Sequence, residues 1–593
     1  MFKGINTYGM LRNGTIAVLT MFGVAILFGE KNIMLAFPIA LTSAVLGRQN
    51  FRVKTFNKTL GIIIIDLIIV TFAYISRLNL ITGIVINFIS IFLIMYTITN
   101  QYDPTFYKPF VMLYVFTQYA WVPLNQIPNR YLAVIFGVLI IVICNKAINE
   151  INEKSLLGKS ISKSLSLIVE SLRDILKGNY SKEKEVECTN IMRSLAYKIY
   201  VSRYRDYLTT NLGQIQFKIF MDIEHLNLFL RKIEEGYSHK DIAKEEIEEL
   251  INLLEQIIEF SDGKIRVDNV VNETNRYVNK HIKEAKYGYE ISVVLINLSK
   301  NITSLAYINK KDINKVYERW QRSYLDKTRY TFKEYFRRDS IRFKFAMRMA
   351  ITLTLSLFVG ELLGFYKIIW AIITIMSVIQ PYYEETLKKT KDRVVGNTIA
   401  IVFTGVVINI MDNRYVTIVI LIASLYLLYG FKEYHKISLF AAIASICVAS
   451  LSNNINELLV YRITYVIIGV LIVILANKFI YPYKLKDGIK QLEEKIERYN
   501  YMLVKEGELY LQDKGNIHIV RDIIIHLTLL NQKLYLRNLQ YEDEEVDRFV
   551  DNNTFDAIEI GYAILMSYGK SRDFKKIKLE EISRLLKQME IYG

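Results

Sequence analysis

Cysteine, proline and histidine are all scarce. Cys144, Cys188 and Cys447 are the three cysteines among 593 residues, and they stand far apart with no paired spacing. That excludes a disulfide framework and a thiolate metal site, and leaves them as apolar filler. No His-Glu-x-x-His is present, and His518 and His526 lie eight residues apart without a nearby third ligand. A phosphate-binding loop is missing as well. Leu157-Gly158-Lys159-Ser160 resembles the end of one, but Glu153 stands where its first glycine belongs and no strand precedes it. With no metal, nucleotide or cofactor motif, the chain reads as a non-enzyme that needs no cofactor. Any active transport by it would draw on an ion gradient or on an accessory efflux protein. The first twelve residues are too polar and too short for a signal peptide, and the apolar run after them lacks a small-residue cleavage site, so that run is read as a retained first helix.

What the chain has is apolar length and positive charge. It is 52% apolar and 23% charged, with a net charge of +16, a mixture that calls for both membrane and aqueous parts. Apolar windows fall at 14–29, 33–47, 60–75, 78–99, 109–124 and 130–148, and again at 344–364, 366–381, 394–411, 413–430, 435–451 and 458–480. A bilayer core needs roughly 20 apolar residues per helix. A window of about 16 residues spans only about 24 Å, so the count is five or six helices per block.

The charges set an orientation. With the N-terminus inside, Lys3, Arg12, Arg48, Arg52, Lys54, Lys58, Lys108 and Lys146 are cytoplasmic in the first block, against Lys31, Arg77 and Arg130 outside. In the second block Lys388, Lys389, Lys391, Arg393, Lys432 and Lys436 lie inside, against Lys367, Arg414 and Arg462 outside. Both blocks point the same way, with both termini in the cytoplasm and the protein in the cytoplasmic membrane. The positive charge is thereby used as topology signal, and nucleic-acid binding is not needed to explain it.

Residues 149–343 and 483–593 read as water-soluble helices. Ile161, Leu165, Ile168, Leu172 and Leu176 have the spacing of one helix face, with Lys163, Glu170 and Arg173 off it. Further helical patterns cover roughly 183–234, 241–261, 270–308 and 312–337, in a stretch without proline. Leu492, Ile496, Ile523, Leu527 and Leu530 repeat the style after Pro482. The expected fold is therefore an all-α membrane protein: a transmembrane block over 1–148, a cytosolic helical domain over 149–343, a second block over 344–482 and a second cytosolic helical domain over 483–593.

The blocks share a register. Gly29 and Gly364, Thr55 and Thr390, and Gly61 and Gly396 are each 335 residues apart, and at the same offset Lys54 falls on Lys389 and Lys58 on Arg393. Arg130 and Arg462, Gly137 and Gly469, and Asn145 and Asn477 are each 332 apart, so three residues have been lost in between. Ile-rich composition alone does not keep glycines and charges in step. An even number of helices per block gives parallel repeats about an axis along the membrane normal, with substrate expected where they meet. Such a pseudo-dimer either suffices alone or dimerises again as a homo-oligomer.

The stretch from Tyr366 to Asn397 contains Trp370, Gln380-Pro381, Thr390 and Asp392-Arg393-Val394-Val395-Gly396. It resembles the fusaric-acid-resistance or aromatic-acid-exporter family, which has the same alternation of membrane block and cytosolic helices. The sequence departs from the family pattern with Asn397 where a threonine is common, and lacks a second glycine soon after. Aluminium-activated malate transporters of plants are similar in their six-helix unit. The resemblance implies efflux of small aromatic or carboxylated organic anions, with a gated anion channel or a non-transporting envelope scaffold as the alternatives.

Several residues are candidates for that work. Lys58 and Arg393, beside Gly61 and Gly396, stand at the starts of their windows, where they either anchor the inner face or, with free backbone N–H groups, hold a carboxylate. Trp370 is either an interfacial belt residue or a stacking surface for substrate, and Gln380 joins it through the family motif. Asp66, six residues into its window, is the candidate for a coupling proton; its alternatives are an ion pair with Arg12 or Arg348, or solvation. Its repeat partner is Ile401. Pro38 and Pro381 free carbonyls near the pathway. Gln118 and Trp121 are lesser candidates, Glu361 and Asp412 read as interfacial, and Ala441, Ser445 and Ala449 as a packing seam.

Overall fold

The computed structural model describes residues 6–46, 55–98, 106–148, 153–201, 211–282, 288–308, 338, 340–365, 367–411, 413–450, 455–567, 575–576 and 579–580. Among these every extended regular element is helical, and no strand occurs. Lys3, Arg48, Arg52, Lys54, Asp412 and the helical pattern over 312–337 lie outside the described residues. The chain divides into two compact units. One joins residues 1–149 to 332–488, and the other joins 150–331 to 489–593.

The first unit is apolar. Its first segment folds as α1 (Thr7–Phe28), α2 (Ile33–Leu46), α3 (Thr55–Ile75), α4 (Leu80–Ile98), α5 (Lys108–Tyr119) and α6 (Ile127–Ile148). After the polar helices α7 (Glu153–Leu176), α8 (Lys182–Val201), α9 (Asn211–Ser238), α10 (Lys244–Ser261), α11 (Val267–His281) and α12 (Gly288–Tyr307), the second apolar segment follows. It comprises α13 (Ile341–Leu362), α14 (Ile369–Val378), α15 (Tyr383–Met411), α16 (Arg414–Leu428), α17 (Tyr434–Ser450) and α18 (Ile455–Phe479). The C-terminal region adds α19 (Leu485–Leu511), α20 (Ile517–Tyr541) and α21 (Glu544–Met566).

Each of the twelve apolar windows therefore holds a helix, but the helices are unequal. Among the described residues seven, those centred on α1, α3, α4, α6, α13, α15 and α18, are long and apolar enough to cross a bilayer. The protein is a multi-pass membrane protein. Two of the short helices, α5 and α14, sit inside. The ten residues of α14 reach about 15 Å, half of a hydrocarbon core, and Ala371, Ile372 and Ile375 have no exposure. The twelve-residue α5 is buried from Pro109 to Gln118. Such helices are enclosed by protein and have no need to span. The long helices instead turn Ile64, Ile68 and Phe72 of α3, and Ile399, Val402 and Val406 of α15, outward, as a lipid-facing surface requires.

The packing inside this unit is reciprocal. The fourth helix of the first segment, α4, lies along α13, the first helix of the second, while α16, the fourth helix of the second, lies along α1. In both segments the sixth helix packs on the second, with Gly137 against Ile39 of α2 and Gly469 against Ala371 and Thr374 of α14. Both first helices carry a side-chain N-cap, Asn6 to the N–H of Gly9 and Ser340 to that of Phe343. Both are followed by a glycine in the left-handed half of φ, Gly29 at 87° and Gly364 at 61°, a turn that a Cβ would strain.

Gly61 and Gly396 share a register but not a surrounding. A Cβ on Gly396 would stand 2.6 Å from the carbonyl oxygen of His435 and 2.9 Å from Cβ of Ser438, where α15 and α17 touch. A Cβ on Gly61 meets nothing within 4 Å. On α17 the enclosed positions are Leu439, Ala442, Ile443 and Ile446, while Ala441, Ser445 and Ala449 are only half-buried. The seam thus runs one residue away from the expected small-residue stripe, because Ser438 and Leu439 meet the glycine.

The second unit is built from amphipathic helices. Ile161, Leu165, Ile168 and Leu172 of α7 are buried, as are Leu492, Ile496, Ile523, Leu527 and Leu530 of α19 and α20. α20 packs on α8 and α21 on α9, so the two polar regions close one core together. Arg231 clamps Glu185 through Nε at 3.0 Å and Nη2 at 2.6 Å, and Lys232 pairs with Glu559 at 2.9 Å. Asp222 is buried between α9 and α12, where Nδ2 of Asn301 donates to it at 2.6 Å. Burial pushes its carboxyl up to about 8, against the smaller opposing effects of Asn301 and Lys218.

Two outcomes follow from these contacts. Gly396→Ala should lower the melting temperature of the detergent-purified protein by the equivalent of about 1–3 kcal/mol through overpacking. Gly61→Ala should leave it unchanged or raise it by about 0.5–1 kcal/mol, the helix-interior gain over glycine. For Asp222 the folded value of about 8 lies above an unfolded value of roughly 3.9. Its contribution is fully present below the unfolded value and is lost as pH rises through the folded one. Asp222→Asn should therefore flatten the fall in melting temperature between pH 6 and 9, with its largest gain over wild type at the alkaline end.

Candidate functional site

Arginine organises the interior of the apolar unit. Arg130, Arg348, Arg393 and Arg462 are all between 0% and 4% exposed. A guanidinium taken from water loses several kcal/mol of solvation, which only hydrogen bonds or a counter-charge can offset. Two of the four are supplied by helix ends. Arg130 donates from Nε to Oδ1 of Asn32 at 3.2 Å, from Nη1 to the carbonyl of Thr117 at 3.2 Å, and from Nη2 to that of Ala120, closing the C-terminus of α5. Arg348 donates to the carbonyls of Gln380 at 3.1 Å, Ile480 at 3.0 Å and Tyr481, and to Oδ1 of Asn477 at 2.8 Å. It thus ties the segment after α14 to the end of α18. Helix C-termini carry partial negative charge, so a cation is well placed there. In the first segment Arg12 makes the equivalent bond, from Nη2 to Oδ1 of Asn145.

Arg393 and Arg462 are not supplied in this way. Arg393 reaches only Oγ of Ser438, at 3.5 Å from Nη1, and its Nε is buried without a partner. Arg462 donates from Nε to Oδ1 of Asn397 at 3.0 Å, while its Nη1 is buried without a partner. Asn397 also donates through Nδ2 to Ser438 at 3.3 Å, which draws the two arginines around one amide. The guanidinium of Arg462 lies 4.2 Å from the ring centroid of Trp370, whose indole N–H is itself buried and unbonded. Among the described residues no carboxylate pairs with either arginine. A desolvated cation–π contact is worth about 2 kcal/mol, less than one buried ion loses, and two cations side by side add repulsion. The cluster has three spare N–H donors, an aromatic wall and an excess of positive charge. Chemically it is suited to a small anion with an apolar body.

The other candidates fall in different places. Arg393 is ten residues inside α15, which begins at Tyr383 with Glu384 and Glu385 in its first turn. The backbone N–H groups around it are already used within the helix, so the helix-start argument does not apply to it. Hydropathy detects only the apolar part of α15; its polar first turns are helical too. Lys58 does lie in the first turn of α3 and is half-buried, away from the arginine pair's own contacts. Gln380 is wholly engaged: Oε1 accepts from Lys389 at 2.8 Å and Nε2 donates to Ile379 at 2.6 Å. Pro38 lies inside α2, and the carbonyl of Pro381 accepts from Arg348 at 3.4 Å. Gln118 donates to Asn87 at 2.7 Å, and Trp121 is 47% exposed. Glu361 pairs with Arg77 at 3.7 Å on the surface.

Two expectations are corrected. Arg130 and Arg462 are not loop charges outside the membrane but buried side chains of α6 and α18. Arg130 opens its apolar window and Arg462 lies one turn into its own, close enough to the start that a charge count assigns both to the neighbouring loop. Asp66 pairs with neither Arg12 nor Arg348, whose bonds go to Asn145 and to the partners described above.

Residues 355–476 match the family model described as fusaric acid resistance protein-like, about a fifth of the chain. This agrees with the resemblance carried by Trp370 to Asn397, and the match contains Trp370, Arg393, Asn397, Ser438 and Arg462. No curated protein and no solved structure matched the chain.

The two kinds of buried arginine should separate by stability. Arg130→Gln strands the carbonyls at the end of α5 and should destabilise by about 1–3 kcal/mol. Arg462→Gln removes an uncompensated charge and should be neutral or stabilising by a similar amount. Thermal unfolding of the two variants side by side checks the sign.

Proposed function

We propose that the protein is a secondary transporter that exports small aromatic or carboxylated organic anions across the cytoplasmic membrane. The observation that carries this is the pair Arg393 and Arg462, buried beside Trp370 with spare donors and no counter-charge. A carboxylate would accept from Nε of Arg393 and Nη1 of Arg462, both charge-assisted bonds, while its ring lies against the indole. Asn397 and Ser438 hold the two guanidinium groups in place. Lys58 is the positional counterpart of Arg393 in the first segment and is assigned a weaker, entry role, and Gln380 a supporting one through Lys389. The fusaric acid resistance protein-like match over this segment supports a membrane transporter-like protein.

In this reading the two apolar segments are copies of one six-helix unit. Support comes from the constant offset, from the exchange of first and fourth helices between segments, and from the matching glycine and arginine–asparagine contacts. The orientation, with both polar regions and both termini in the cytoplasm, rests on the positive charges. With the buried Arg130 and Arg462 taken out of the outer count, and the equally buried Arg393 out of the inner one, Lys31 and Arg77 face eight inner charges, and Lys367 and Arg414 face five.

Cells lacking the protein should accumulate aromatic acids from a panel such as benzoate and 4-hydroxybenzoate. Arg462→Gln and Arg393→Gln should reduce efflux by about tenfold, the scale of one lost charge-assisted contact of about 1.4 kcal/mol or more, with the protein still present in the membrane. Unchanged accumulation across the panel in the null strain would reject this function. Discrete voltage-driven currents from purified protein in planar bilayers would move it to the channel class.

A further inference from the structure

The first segment holds a buried charge-bearing group that no contact explains. Asp66 lies midway along α3, 1% exposed, and neither carboxylate oxygen has a hydrogen-bond partner among the described residues. Its neighbours along the helix are Ile62, Ile63, Leu67, Ile69 and Val70, all part of the apolar core. α3 packs against α4, α5 and α6. α4 has no charged residue. On α5 the ionisable groups are Lys108, Tyr114 and Tyr119, and the hydroxyl of Tyr114 is bonded to Asn87. On α6 Arg130 is committed to α5 carbonyls, the hydroxyl of Tyr131 to Thr71, and Cys144 is half-buried. None of them bonds to Asp66. Lys146 stands in the last turn of α6, about 24 Å of helix length from Arg130 by the rise per residue.

An ionised carboxylate in such a place is expensive, and a carboxyl kept there without a partner marks a group that works by changing its charge. Its counterpart at the 335-residue offset is Ile401, and the counterpart of Arg393 in the first segment is Lys58. The acid and the unpaired arginine pair thus stand in opposite halves of one unit. The two arginines without a paired carboxylate leave the empty anion site short of two negative charges. With Asp66 ionised, loading a dicarboxylate leaves these groups with one negative charge in excess, and a proton added to Asp66 brings them to neutrality.

We infer that Asp66 is the proton-carrying group of the transport cycle, so that one proton is taken up and released for each anion moved. The step is a simple transfer: an O–H bond forms at a carboxylate oxygen with a proton from water on one face, and the proton leaves to water on the other. This rests on the anion-transport reading, and the test separates the two. Purified protein is reconstituted in liposomes containing a pH-sensitive dye, with phthalate as the probe because its two charges prevent passive leak. Wild type should exchange labelled for unlabelled phthalate, and a net phthalate gradient should change the internal pH.

Asp66→Asn should exchange phthalate within about twofold of wild type but lose at least tenfold of the gradient-driven pH change. Arg462→Gln should lose exchange itself, and Asp66→Glu should keep both activities. Infrared difference spectra on pH titration should contain a carboxyl band that Asp66→Asn removes, a readout independent of transport. Full proton movement in Asp66→Asn, or net phthalate flux down a gradient by wild type with no proton movement, would overturn the role of Asp66 and leave the anion function standing. Failure of wild type to exchange phthalate or any acid of the panel would overturn both.

Discussion

The apolar unit depends on the donation of guanidinium hydrogens to the carbonyls of helices that stop inside it. A membrane interior has no water to satisfy broken backbone, so non-helical segments persist only where protein supplies the missing bonds. α5 and α14 stop short, and the bonds come from Arg130 at the end of α5 and from Arg348 between the ends of α14 and α18. With those ends secured, α5 and α14 lie enclosed, and the outward faces of the long helices remain free to be apolar. The same arrangement explains why further arginines without such partners stand out. Against that background Arg393 and Arg462 are not part of the scaffold's bonding.

Much of this architecture is legible in the sequence, and the parts that are not share one cause. All twelve apolar windows hold helices, because runs of isoleucine and leucine leave few other options in an apolar setting, even with Pro38 inside α2. The alternation between apolar and polar regions reads from composition, and Leu165 or Ile523 reads as core from spacing alone. Hydropathy fails at the edges of windows. Residues such as Arg130, Arg462 and Arg393 sit one to three turns inside their helices, at or near the start of the apolar stretch, and a linear scan places them in loops. The polar beginning of α15 is helical for reasons of capping charge and propensity that an apolar window does not register.

The candidate site was visible as single residues, not as a cluster. Arg393 and Trp370 stood out through position and motif, and the structure brings them together only through Arg462 and Asn397. Arg462 is 69 residues from Arg393 along the chain, and nothing local in either sequence neighbourhood marks the contact. Asn397, noted only as a departure from the common family residue, holds the group together, since its amide is the one side chain that accepts from Arg462 and donates to Ser438. A threonine there would have to make both bonds through a single hydroxyl on a shorter side chain. Gln380 shows the converse: a motif residue whose polar atoms are all consumed by Lys389 and the local backbone.

The exchange of first and fourth helices between the segments has a consequence for how such a chain can diverge. A symmetric dimer of separate six-helix chains would hold the same seams, but every side chain in it would appear twice, and an acid introduced in one half would also enter the other. Within one polypeptide the partners at each seam are encoded separately. α1 can keep a small, glycine-containing face toward Tyr426 of α16, while α13 meets α4 through Phe343 against Phe92 and Tyr96. Each seam can then be stiffened or loosened by mutation without altering its counterpart, so the two halves need not yield at the same moment.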